Sequence, residues 1–174
     1  MLKTLSALAL SALLAVPALG QQKMDNDEAA ALKRIAQANI NEVAAGKIGA
    51  EKASSPEVKR FAQKMVDDHG RMAQELKTLA QSKGVPVAES TGMTDMAKLK
   101  LMERKSGAEF DQAFMDHMVK EHELTAKDVE VTASKAKDAE FKAALQKALP
   151  HIKQHLAEAK RLQSSAAAGG TTKK

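Results

Sequence analysis

The chain has 174 residues, a formal net charge of +5, four Phe as its only aromatic residues and no Cys, Trp or Tyr. Without cysteine there is no disulfide framework, thiolate metal site or CxxC redox chemistry. Lys and Arg alternate with Asp and Glu instead of forming a basic run, and no aromatic stacking platform accompanies them, which argues against nucleic-acid binding.

Met1 to Gly20 carries an early basic residue, Lys3, an apolar run from Leu5 to Val16, Pro17, and a small-x-small ending at Ala18-Leu19-Gly20. This is the layout of a secretory signal occupying residues 1–20 and cut before Gln21. A retained membrane anchor would need roughly 20 uninterrupted apolar residues. The mature protein is therefore expected to be exported, periplasmic or outer-membrane associated, with no transmembrane segment after cleavage.

Beyond the signal, helix formers dominate and strand formers are scarce, so the expected fold is all-α. Apolar residues recur at spacings of three and four over four long stretches. The first runs from about Asp27 to Ala53, with Asp25 or Asn26 as its cap. Ser55 and Pro56 open the second, which continues to about Lys83 and stops at Gly84 and Val85-Pro86. A short helix near Thr94 to Glu103 occupies the central connection. Gly107 precedes the third long helix, to Lys135, and Asp138 opens the fourth, which ends near Gln163 and carries an expected kink at Pro150. The simplest packing is an antiparallel four-helix bundle spanning residues 26–164, with up-down-up-down helix directions and a flexible tail over 165–174.

A local repeat supports this architecture. Phe61-Ala62-Gln63-Lys64-Met65-Val66-Asp67-Asp68-His69 aligns with Phe114-Met115-Asp116-His117-Met118-Val119-Lys120-Glu121-His122, matching Phe, Met, Val, an acid and His. On each stripe the imidazole follows a buried Met. The fourth helix contributes His155, with His151 about one turn away and Pro150 leaving open which of the two faces the core, and the first places Asn39 on its inner side and Glu42 there or just beside it. Glu42, His69, His122 and His155 fall near mid-helix, so at about 1.5 Å rise per residue their heights agree within about 10 Å.

Two readings of this polar layer follow. In one, hydrogen bonds to Glu42 or Asn39 satisfy the imidazoles, the layer fixes helix register, and the protein is a non-catalytic envelope component with an envelope-stress or interaction role and a protein partner. In the other, Glu42, His69, His122 and His155 bind a transition metal (zinc, copper, iron or manganese), with Asp68, Glu121 and His151 placed to orient the ligands. Nucleophilic catalysis has weaker support, since there is no Cys and no sharp nucleophile turn. His117 reads as part of a solvated face.

The segments Asn41-Glu42-Val43, Ser55 to His69, Gly107-Ala108-Glu109-Phe110-Asp111 with Met115 to His122, Leu149-Pro150 and His155-Leu156 together resemble the exported bacterial domain of unknown function 4142. That resemblance implies a ferritin-like helical bundle and an exported or outer-membrane location, and no activity. Ferritin-like di-iron sites use Glu-x-x-His pairs. Here Val66 and Val119 stand three residues before His69 and His122, which argues against ferroxidase chemistry of the usual kind.

Overall fold

The computed structural model describes residues 24–170. The segment read as an export signal lies outside them, as do the last four residues of the tail. Five α-helices and no strand are found among the described residues.

Three of the four long helices start where a side chain satisfies a first backbone donor; the remaining one, which follows Ser106, has no such side-chain cap. The Glu28 N–H donates to Asp25 Oδ1 at 2.9 Å, opening α1 (Asn26–Lys52). Ser55 caps α2 (Pro56–Ser82), with Pro56 at a position where a missing N–H costs nothing. The chain leaves α2 through Gly84 at φ +66°, a left-handed conformation that favours glycine. It then passes through α3 (Met93–Glu103) into α4 (Gly107–Lys135). Finally, the Phe141 N–H donates to Asp138 Oδ1 at 2.9 Å at the start of α5 (Ala139–Gly170).

The last helix is longer than its apolar stripe. Residues 165–170, read as tail, continue α5. Alanine has the best helix propensity, and the Ser164 and Ser165 hydroxyls bond back to the Lys160 and Arg161 carbonyls, so the local sequence is compatible with a helix that runs on past Gln163. The helix also runs on through Pro150.

The four long helices form a helical bundle in which α1 packs chiefly on α2 and α4 chiefly on α5, with narrower α1–α4 and α2–α5 seams. Side-chain contacts establish the directions. Asp111, near the start of α4, accepts from the Ser54 and Ser55 N–H groups at 2.8 Å, so α2 and α4 begin at the same end. Arg34 pairs with Asp128 at 2.7 Å, while Lys147 pairs with Glu75 at 2.8 Å, so α1 opposes α4 and α5 opposes α2. The contacts give an order along the chain of up-down-down-up, not the expected up-down-up-down. The connection through α3 carries the chain back along the bundle, and α3 packs across the α1–α4 seam.

This order explains the repeat. Because α2 and α4 are parallel and lie diagonally across the bundle, Phe61 faces the level of Phe114, Met65 that of Met118 and His69 that of His122; all six are buried. Two apolar clusters result. One, built largely of Leu32, Ile35, Leu76, Val129, Leu145 and Ile152, lies towards the start of α1. The other, containing Phe61, Phe110, Phe114, Met65, Met115 and Met118, lies towards its end. A fully buried side chain of this size contributes roughly 1.5–3 kcal/mol. Gly49 lets α1 approach the second cluster, since a Cβ there would sit 2.5 Å from the Phe114 ring. Between the two clusters lies a layer of buried polar groups: Asn39, Glu42, His69, His122 and His155. No helix among the described residues is long and apolar enough to cross a membrane.

Candidate metal centre

The 3.6-residue period places His69 four residues beyond Met65 and His122 four beyond Met118, and parallel diagonal helices bring those two rings together at the bundle axis. His155 enters from α5. The three ring centroids are 5.2–5.6 Å apart, and one ring nitrogen of each histidine lies within 4.8 Å of those of the other two. Among the described residues this is the only such grouping of His, Asp and Glu.

The partners on the far side of each ring determine which nitrogen carries the proton. Asn39 donates its Nδ2–H to the Ile35 carbonyl at 2.9 Å, so its Oδ1 must accept, and His69 Nδ1–H donates to it at 2.9 Å. His122 Nδ1 lies 2.8 Å from the Met118 carbonyl, which can only accept, so this nitrogen too is an N–H donor. Both Nε2 atoms are then left with a lone pair, and they face each other at 3.3 Å. Two neutral imidazoles arranged this way have no proton to share.

His155 is held differently. Its Nε2 lies 2.9 Å from Asp68 Oδ2 and 2.9 Å from Lys64 Nζ, while Lys64 and Asp68 pair at 2.5 Å. Asp68 accepts from both. Burial would raise its pKa, but the hydrogen bonds from Lys64 and His155 outweigh that and hold it at about 2. His155 Nε2 thus meets both a donor, Lys64 Nζ, and an acceptor, Asp68 Oδ2; in the tautomer in which Nε2–H donates to the carboxylate, Nδ1 carries the lone pair, and Nδ1 is buried without a partner among the described residues.

Burial keeps all three rings neutral. It lowers the His69 pKa well below the ordinary value, with His122 and His155 adding to the effect. For His122, burial outweighs the Met118 carbonyl bond and brings the pKa to about 4. His155 is lowered as well, burial outweighing the Asp68 bond. Neutral imidazole is the form that binds a metal ion.

Glu42 does not join this group. Its carboxyl lines a cleft of about 280 Å³ between α1, α3 and α4, together with Asp95, Lys98, His117 and Glu121. Glu42 Oε2 is buried without a partner among the described residues. Burial, reinforced by the Glu121 charge, raises its pKa to about 8, so it is protonated at neutral pH. His117, read as solvated, is half-buried in the same cleft, and burial lowers its pKa. The amphipathic pattern of α4 alone gives no sign of this, because α3 supplies the covering wall.

The groups expected to orient the ligands divide in the same way. Asp68 bonds an imidazole, Glu121 faces the cleft, and His151 is exposed, bordering with Asp68 a groove of about 140 Å³ between α2 and α5. The orienting roles of Lys64 and the Met118 carbonyl carry no signal in the sequence. A lysine four residues from an aspartate is an ordinary surface pair, and every helical carbonyl is a potential acceptor.

Residues 14–162 match the family model described as domain of unknown function (DUF4142), and the chain belongs to that family. Comparison with curated proteins gave no match.

Proposed function

We propose that this DUF4142 protein is a non-catalytic metal-holding protein of the cell envelope, an exported ferritin-like four-helix bundle that binds one first-row transition-metal ion on His69, His122 and His155. The observation that carries this reading is the pair of Nε2 lone pairs facing each other at 3.3 Å. A cation between them removes the repulsion. A proton is disfavoured there, because burial depresses the pKa of every ring in the trio.

The separation also suits a metal. At a Zn–N distance of about 2.0–2.1 Å, two nitrogens on one edge of a tetrahedron are roughly 3.3–3.4 Å apart. The Nδ1–H bonds to Asn39 and the Met118 carbonyl are the contacts by which proteins orient a ligating Nε2. A set of three nitrogens favours zinc, copper or iron over manganese, which prefers oxygen. A purely structural layer accounts for the Asn39 and Met118 contacts but leaves the facing lone pairs unexplained. Export rests on the Lys3, Leu5–Val16 and Ala18-Leu19-Gly20 pattern and predicts a mature protein beginning at Gln21.

Elemental analysis by mass spectrometry, on protein purified without chelator or histidine tag, tests the metal reading. Wild type is expected to carry a near-stoichiometric transition metal that the His69→Gln/His122→Gln variant lacks. Metal-free wild-type protein that also fails to take up Co2+ or Zn2+ would overturn it.

A further inference from the structure

The trio offers an ion nitrogen and no negative charge. One nitrogen from each of His69, His122 and His155 forms the group, and no Asp or Glu oxygen among the described residues joins it. An imidazole binding through a lone pair is a neutral ligand. Behind the rings of His69 and His122 stand the Asn39 amide and the Met118 carbonyl, which are neutral too. Among the bonds made by the three rings, only that of His155 reaches a carboxylate, Asp68 Oδ2 at 2.9 Å from Nε2. That carboxylate is already paired with Lys64 and with Arg71, and Lys64 Nζ lies 2.9 Å from the same ring nitrogen. The acid next to the trio is therefore outnumbered by its own two cations.

Burial makes charge costly here. The three residues are 2%, 1% and 0% exposed, and the cost of taking an ion out of water rises with the square of its charge. A dication would carry its full charge into the layer beside a surplus cation, whereas a monocation meets half the repulsion and a quarter of the desolvation cost. Coordination number points the same way. Zinc is almost always four-coordinate in closed protein sites, and the trio supplies three donors with no ring open to bulk water. A closed-shell d10 monocation is satisfied by two or three, and imidazole is a donor that copper accepts. Resting on the trio as the metal site, we propose that the ion it selects is Cu+, held by one nitrogen of each histidine, over Zn2+ and other divalent ions.

Purified metal-free protein is offered Cu+ and Zn2+ together, one equivalent of each with ascorbate and without oxygen, then desalted and analysed for both metals. Bound copper is expected to exceed zinc at least about 10-fold in wild type and to be lost in His69→Gln/His122→Gln. Lys64 is half-buried and Gln keeps a donor at its position, so Lys64→Gln retains the fold. Removing the Lys64 charge favours a dication twice as strongly as a monocation in free energy, and the zinc share should rise in that variant. Zinc equal to or above copper in wild type would overturn the preference while leaving the trio a divalent-metal site. Copper retained by the double-histidine variant would overturn it by placing the ion elsewhere, and a zinc share unmoved by Lys64→Gln would overturn the charge argument on which it rests. Protein that binds neither metal would overturn the trio reading itself, and this inference with it.

Discussion

The imidazole trio and the Glu42 cleft lie in one layer of one bundle, and burial moves their protonation equilibria in opposite directions. At His69, His122 and His155 it removes protons and leaves neutral nitrogens pointing at each other. At Glu42 it adds a proton and leaves a neutral acid in a cleft. In both cases the cause is the cost of taking charge out of water. The chemical result differs because an imidazole that loses its charge is a ready metal ligand, whereas a carboxyl that loses its charge becomes one only when a cation displaces its proton. The same burial therefore yields a metal-ready group or a neutral acid at one height of the bundle, by the choice of residue alone.

The largest effect that would break this comparison is the alkaline destabilisation due to Glu42. Its folded-state pKa of about 8 lies above the ordinary 4.5, so its stabilising contribution is complete below pH 4.5 and is lost as pH rises through 8. Chemical denaturation in the presence of chelator should show wild type losing on the order of 5 kcal/mol between pH 4.5 and 9 from this group, a loss absent in Glu42→Gln. Parallel pH profiles for the two proteins would mean that Glu42 is solvated.

The trio should behave in the opposite sense. Its pKa values lie below 6.5, so its contribution is present above that value and is lost as pH falls through it towards about 4. The His122 share is on the order of 3 kcal/mol, and His122→Leu should lessen the acid destabilisation of the metal-free protein by about that amount. Asp68, held at about 2, keeps its charge across this window and moderates the His155 and His69 shares. Acid profiles with the same slope in both proteins would contradict the neutral, buried assignment.

The smallest change sharpens the picture. Asn39→Leu removes the acceptor for His69 Nδ1–H without touching a ligand, and should destabilise the metal-free protein by about 1–3 kcal/mol. It should also weaken Co2+ binding about 10–100-fold while leaving the alkaline pH profile due to Glu42 unchanged. A change in that profile as well would show that Asn39 supports the whole layer and not one ring.

Much of this arrangement was legible before any coordinates. The 3.6-residue period determines which side of a helix a residue faces, and its place along the helix gives its height, so the inward positions of His69 and His122 followed from counting, whereas Pro150 left open whether His151 or His155 faces the core. Helix starts at Asp25, Ser55 and Asp138 were legible for the same local reason, a side-chain acceptor next to free backbone donors. Periodicity does not say which helix lies beside which, or in what direction the chain returns. Only the crossing through α3 made α2 and α4 parallel diagonals, which brought two Nε2 atoms face to face. The same crossing roofed the α1–α4 seam, turning His117 from a surface residue into a cleft residue and drawing Glu42 towards Glu121 instead of the imidazoles. The sequence by itself determined the phase and height of His69 and His122; which face of α5 turns inward, and the angular placement of every polar group around the bundle axis, which decides what each one touches, were properties of the assembled tertiary structure.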